Sequence, residues 1–443
     1  MNLTLDLCLK VGELLLSSGA GAADVTATMR SLARELGLRG ADVDVTFVNL
    51  DMSYQESPET VPVLATRQVK LRTIDYEDLT LVDHLVRDVL RGDLDLKGAR
   101  SELAQIISTG HARRRWAVTS GLAVMAAGVA LQLGGDLPVV LLAALAATVI
   151  DRLQLQMARR RVPAFYQQIA AAGVASLLAV AVSGPFDVDV STAITANIVV
   201  LLAGLGFMGA LQDALTGFYL TAGARIIEVM LSTAGIIAGV SAGIGLARAV
   251  GLDLPPIEPL NVDIRSVSRA LIGAAVGAAA FAYASYGPRR SLVAIGAIAA
   301  VAEGITISFP DEFGHTWAVA SAAFFVGLVS YSVSGRLRVP PLVIVVPAVV
   351  PLLPGLSIYR GLTLLTADDG AGASTGLLAM VTAASIAVAL ASGVILGEYV
   401  AQPLQREARR LESRLAGPRL VGPVGMRTRR SRRRKQAAGT PGT

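Results

Sequence analysis

Apolar runs long enough to cross a bilayer recur from Trp116 to Gln402, and they restrict the fold more than any other feature of the chain. Hydrocarbon offers no water to a backbone amide, so such runs must become helices that satisfy their own hydrogen bonds. Hydropathy divides them into about ten spans. The composition agrees: 53% of the 443 residues are hydrophobic and only 16% are charged, less charge than a soluble chain carries. The reading is a polytopic α-helical membrane protein of about ten transmembrane helices, in two five-helix halves, behind a small N-terminal α/β domain.

The connections sort by sign. One set holds Arg113–Arg115, Arg152 with Arg159–Arg161, Arg225, Arg289, Arg290, Arg336 and Arg338. The alternating set holds Asp136, Asp187, Asp189, Asp253, Glu258, Asp263, Asp311, Glu312, Asp368 and Asp369, with Arg265 as its one exception. Basic loops remain in the cytoplasm, which puts both termini inside. The expected divisions are a cytoplasmic domain over 1–112, membrane halves over 113–250 and 251–402, and a largely disordered basic tail over 403–443. That tail, with its MRTRRSRRRKQ run, is expected to touch anionic lipid and not nucleic acid.

Residues 1–112 read as ααββαα. Leu3, Leu7, Val11, Leu14 and Leu15 share one helical face, and a second helix starts near Asp24. Asp42–Tyr54 and Thr60–Leu71 are rich in β-branched and aromatic residues and predict two strands. Two further amphipathic helices follow. Cys8 is the single cysteine, and His84, His111 and His315 show no metal-ligand spacing. No metal or cofactor is expected.

Within the membrane part, PPLVIVVPAVVPLLPGLSIYRGL (Pro340–Leu362) is apolar yet rich in proline. Each proline removes a backbone donor and disturbs the preceding turn. A helix restarting after Pro354 and Gly355 would aim its positive end into a cavity, with Tyr359 and Arg360 close behind, as transporters build substrate sites. The alternative is a kinked structural helix. GLGFMGALQDALTG (Gly204–Gly217) is a similar interruption in the first half, with Gly209 and Asp213. Any repeat of one half by the other would be upside down, since each holds an odd number of spans.

Arg360 suits a substrate carboxylate and Asp213 an ammonium, the alternative for each being an ion pair or a turn residue. Asn197 could bind substrate or tie helices together. Glu303, inside a span, is the leading proton-coupling candidate, against a carboxylate reaching the outer interface. Glu228 is a second candidate, against a local ion pair with Arg225 three residues before it.

Several segments resemble the threonine/serine exporter family of bacterial inner membranes, in its single-chain actinobacterial form. They are DVDVTFVNLDMSY, IDYEDL with LRGDLDL, QDALTGFYLTAGARIIEVMLSTAGIIAGV, VPLLPGLSIYRGL and ASGVILGEYVA. The resemblance runs from about Leu7 to Gln402. It implies a multi-pass protein of the bacterial cytoplasmic membrane that exports threonine and serine, driven by the proton motive force, and not an enzyme. Its partners would be a small amino acid and protons. Two-protein relatives associated with succinate leave a dicarboxylate exporter open as an alternative. A membrane-anchored hydrolase and a passive channel are further alternatives.

Overall fold

A computed structural model describes residues 1–70, 73–111, 113–186, 190–201, 204–249, 264–354, 357, 361, 364 and 370–415. The chain opens with α1 (Asn2–Ser17) and α2 (Ala22–Glu35), followed by β1 (Asp42–Thr46), β2 (Asn49–Tyr54) and β3 (Val63–Gln68). The helices α3 (Tyr76–Arg91) and α4 (Leu96–Thr109) follow. The periodic leucines behave as their spacing requires, with Leu7, Val11, Leu16, Val25, Met29 and Leu32 fully buried.

The two-strand expectation is corrected to three. The predicted strand over Asp42–Tyr54 folds back on itself, pairing Thr46 with Asn49 and Asp42 with Ser53, and β3 then joins β2 antiparallel. The turn is Phe47-Val48, and Phe47 takes a left-handed φ of 53°. Glycine usually fills that position in a two-residue hairpin turn. Here the Phe47 amide donates to Thr221 Oγ1 at 3.0 Å, so a contact 174 residues away holds a turn that local sequence does not announce.

Two acids of this region, Asp75 and Asp95, are helix punctuation. Asp75 caps α3 by accepting from the amides of Glu77 and Asp78, Gly92 closes α3 at φ 78°, and Asp95 caps α4 through the Gly98 amide.

The remaining helices are α5 (Arg115–Gln132), α6 (Leu137–Arg159), α7 (Ala164–Phe186), α8 (Val190–Leu201), α9 (Gly204–Leu215) and α10 (Tyr219–Ala249). After them come α11 (Ile264–Ala284), α12 (Arg289–Ser308), α13 (His315–Leu337), α14 (Leu342–Val349) and α15 (Gly370–Leu415). Seven of these are long and apolar enough to cross a membrane: α6, α7, α10, α11, α12, α13 and α15. The molecule is a polytopic membrane protein, mostly helical. The span expected at Ala193–Leu211 is represented by α8 and α9, and the one expected at Leu342–Leu365 by the short α14 and a 3-10 turn over Val350–Leu352.

Packing follows one pattern twice. In the first set α5 packs on α6, α6 on α7 and α7 on α10, with α8 wedged against α5, α6 and α7. In the second set α11 packs on α12, α12 on α13 and α13 on α15, with α14 against α11, α12 and α13. The closest pairs meet through glycine. A Cβ at Gly235 on α10 would fall 2.8 Å from the Phe165 carbonyl of α7, and one at Gly393 on α15 would fall 2.5 Å from that of Ala320 on α13. Small residues let such backbones approach where lipid supplies no hydrophobic drive. The helices α5 and α11 join the two sets, with Gly128 against Gly277.

The N-terminal helices rest on one end of this array. The Tyr76 amide donates to Ser285 O at 3.0 Å, and His84 Nε2 lies 2.9 Å from Arg338 O. His111 bonds Asp75 at 2.9 Å and stacks on Tyr286 at 4.0 Å. Arg113 lies over Tyr283 and donates to Gly287 O at 2.9 Å. Arg113, Arg225 and Arg290 thus lie at this junction, with Arg290 donating to the Arg338 carbonyl at 2.9 Å and Arg225 reaching Ala20 O. The histidine spacing had concealed one cluster: ligand atoms of Asp75, Asp78 and His111 lie within 4.8 Å of one another. Capping and ion-pair bonds account for Asp75 within it.

Candidate transport site

The site begins with how α9 ends. Gly217 adopts φ 93°, the Phe218 amide returns to Asp213 O at 2.8 Å, and Thr216 Oγ1 donates to Gln212 O at 2.9 Å. The Asp-Ala-Leu-Thr-Gly run is thus a helix stop, with glycine supplying the left-handed residue. Stopping there turns α10 back along α9 and sets Arg225 against Asp213, Nη1 to Oδ2 at 2.6 Å, with both side chains buried. Gly209, one turn before Asp213, leaves room for this, because an added Cβ would lie 3.2 Å from Arg225 Nη1.

The second Asp213 oxygen, Oδ1, accepts from the Ala22 amide at 2.9 Å. Ala22 is the first residue of α2, so Asp213 caps a helix from another part of the chain and meets its positive end. Arg225 Nη2 also lies 3.5 Å from Ala20 O. Thr221 ties in the hairpin, accepting from Phe47 N and donating to Val45 O at 3.2 Å. The attraction within a buried ion pair repays its desolvation only where further hydrogen bonds serve the remaining polar atoms, as the Ala22 amide does for Asp213 Oδ1.

Beside this pair lies a cavity of about 330 Å³, bounded by α1, α2 and α3 on one side and by α9, α13, α14 and α15 on the other. Its polar lining is Asp24, Thr28, Asp83, Gln212, Tyr331, Glu398 and Gln402, and no lysine or arginine is among the described residues that line it. The surrounding protein raises the carboxyl of Asp24 by desolvation although the residue stays open to the cavity, and the negative charge of Asp213 raises it further. Burial also raises Asp83, against which its ion pair with Arg87 at 2.8 Å works. Asp24 and Glu398 are close enough to feel each other's charge. The cavity is acidic, and its nearest buried cation is already engaged.

Among the described residues, the proline stretch reaches this cavity at its start, through Pro340, Pro341 and Leu342. Further along, Pro347 and Pro351 end regular helix at Val349, as missing donors require. The freed carbonyl of Pro351 finds Gln132 Nε2 on α5 at 2.8 Å, so protein replaces the lost helical bond. Glu303 on α12 lies near the same Gln132 side chain. Pro354 closes the described part of this turn, and Gly355, Tyr359 and Arg360 lie outside the described residues.

The structure thus brings Gly209 and Asp213 together, and it places Glu303 beside the proline turn. Asn197 is elsewhere, buried in α8 with Nδ2 donating to Ala193 O at 3.0 Å. Glu228 is on the exposed face of α10. Reading the sequence missed Arg225 as the partner of Asp213, and it missed Asp24 and Asp83. An acid in a first helical turn, such as Asp24, has a sufficient local reason to be there. Only the convergence of α2 with α9 and α15 exposes another role.

Comparison with known proteins is decisive about kinship. Residues 6–247 match a family model described as a putative threonine/serine exporter, and residues 270–400 match one described as "Threonine/Serine exporter, ThrE". A "Probable threonine/serine exporter" of Mycobacterium tuberculosis is 35% identical over 434 residues, covering 96% of this chain and 80% of the relative. A "Threonine/serine exporter" of Corynebacterium glutamicum is 31% identical over 413 residues, 91% of this chain and 84% of the relative. No solved structure matches. With both halves matched and relatives aligned along nearly its whole length, the chain belongs to the threonine/serine exporter family.

Proposed function

We propose that the chain is a proton-coupled secondary exporter of threonine and serine that works by alternating access across the bacterial cytoplasmic membrane. The observation that carries this reading is the acidic cavity at the junction of the N-terminal helices with α9, α13, α14 and α15. The N-terminal helices, and the basic connections that they meet, are cytoplasmic under the rule that keeps basic loops inside. A cavity opening beside them is then the entrance that an exporter needs.

The chemistry fits a zwitterion. Asp24, Asp83 and Glu398 attract an ammonium and repel a dianion, which speaks against the dicarboxylate alternative. Beyond them the Asp213–Arg225 pair and the α2 amide offer one anion and two positive ends. An amino acid that exchanged its own two charges for those of the pair would bury no net charge. Glu303, near the neutral Gln132 side chain, is the proton carrier in this scheme. Glu228, on the outer face of α10, has no part in it. Arg360 and Tyr359, which follow Pro354 and Gly355 in the sequence, are candidates for the substrate carboxylate on the chemistry of their side chains.

Alternating access would come from the two halves. The recurrent packing of α5–α10 and α11–α15 supports an internal repeat of about five spans, counting α8 with α9 and α14 with the segment after it. An odd number of spans turns the second copy upside down, the arrangement from which rocking transporters are built. Counterflow in proteoliposomes tests the substrate assignment. Labelled threonine should exchange with internal threonine or serine and ignore succinate, and competition by succinate equal to that by serine would overturn the amino-acid reading.

A further inference from the structure

The N-terminal helices carry a second recess, unrelated to the acidic cavity. It is an open groove of about 580 Å³ between α1, β3 and α4. Four cations converge on it from three elements: Lys10 from α1, Arg67 from β3, and Lys97 with Arg100 from α4. Asp6 is the one carboxylate in the lining, and Ser101 adds a hydroxyl.

The charges are only partly compensated. Asp6 is shared between Lys10 at 2.9 Å and Arg67 at 3.5 Å, and Arg67 also bonds Glu13. Lys97 and Arg100 have no ion-pair partner among the described residues. The position of Lys97 is itself unfavourable. Lys97 lies in the first turn of α4, where the helix dipole is positive and cations are repelled, and Arg100 follows in the next turn. A merely solvated surface gives no reason for like charges from three elements to face one recess, and a concave site of one sign concentrates counter-ions. Leu103 and Ile107 supply an apolar floor beside the charges, with Ile107 left 55% exposed.

We propose that this groove binds a phosphorylated small molecule. Arg100 presents a guanidinium fork to phosphate oxygens, Lys97 acts as a point charge, Arg67 and Lys10 add positive charge from within their pairs with Asp6 and Glu13, and the Ser101 hydroxyl donates to a remaining oxygen. The phosphate can belong to a free metabolite or to a phospholipid headgroup, and the same side chains would take either.

Isothermal titration of the purified full-length protein, in uncharged detergent and phosphate-free buffer, tests this with two probes. One is sodium pyrophosphate and the other is glycerophosphoglycerol, a soluble headgroup. Saturable binding of at least one probe is expected, weakened at least about tenfold in a Lys97→Gln/Arg100→Gln variant, since each loses charged hydrogen bonds. An Arg30→Gln/Arg34→Gln control, exposed on α2, should bind like the unmodified protein. Retained threonine counterflow shows that the variants are folded, and single substitutions replace the double one if it is not. Tighter binding of pyrophosphate identifies a free metabolite as the source, and tighter binding of the headgroup identifies lipid. Equal affinities in Lys97→Gln/Arg100→Gln and unmodified protein, or no saturable heat with either probe, overturn the site.

Discussion

Asp213 and Glu303 are both carboxylates set among membrane helices, but their surroundings differ in kind. Asp213 has Arg225 at 2.6 Å and the α2 amide at 2.9 Å. Glu303 has the neutral Gln132 side chain, which also bonds Pro351 O at 2.8 Å. A carboxylate clasped by a guanidinium and a helix end is committed to its charge. One that faces only an amide can exchange charge for a proton without losing its neighbour. The first arrangement builds a junction between parts of the chain, and the second sets an acid beside the side chain that holds a proline-broken turn. In the proposed scheme this difference gives a structural and substrate-binding duty to one acid and a coupling duty to the other.

The largest expected effect comes from unbalancing the junction. Arg225→Met leaves Asp213 buried without its cation and should cost about 3–5 kcal/mol in denaturant titration of the detergent-solubilised protein. Adding Asp213→Asn should recover most of that loss without recovering threonine transport. A single variant as stable as the unmodified protein would break the comparison at its stronger side.

A smaller effect is expected at the turn. Gln132→Leu strands the Pro351 carbonyl and should cost about 1–3 kcal/mol in the same assay. No loss would mean that the turn does not depend on α5.

The smallest effect concerns Asp24, whose carboxyl is raised by desolvation and then by Asp213. A raised acid binds its proton more tightly in the folded state, so stability is present at low pH and falls as pH rises above the ordinary aspartate value of 3.8. Asp24→Asn should therefore stabilise the protein at pH 7 and change nothing below that value. A gain of equal size at every pH would show that the side chain acts by shape and not by charge.

How legible these regions were in the sequence follows from the range of the forces involved. Hydropathy is local, so the long helices and the N-terminal amphipathic ones could be read directly. Helix stops could be read too: Gly217 and the prolines at 347, 351 and 354 interrupt regular structure for reasons present in the residues themselves. The Phe47-Val48 turn could not, because the Thr221 hydroxyl that holds it comes from α10. Asp213 was recognised as a charge at a break, but its neutralisation by Arg225 and by α2 depends on how α9 and α10 turn back on each other. Asp24 and Glu398 lie 374 positions apart (398 − 24) and become neighbours only when α2 docks.

The coupling duty given to Glu303 is the central claim, and one measurement addresses it directly. Purified protein in liposomes is given labelled threonine and an imposed pH gradient, and the unmodified chain is compared with Glu303→Gln, which keeps a hydrogen-bonding side chain beside Gln132. The account predicts gradient-driven accumulation by the unmodified protein, and in the variant a loss of that accumulation with counterflow retained. Accumulation that persists undiminished in Glu303→Gln, or threonine flux through the unmodified chain that ignores the gradient, would contradict it.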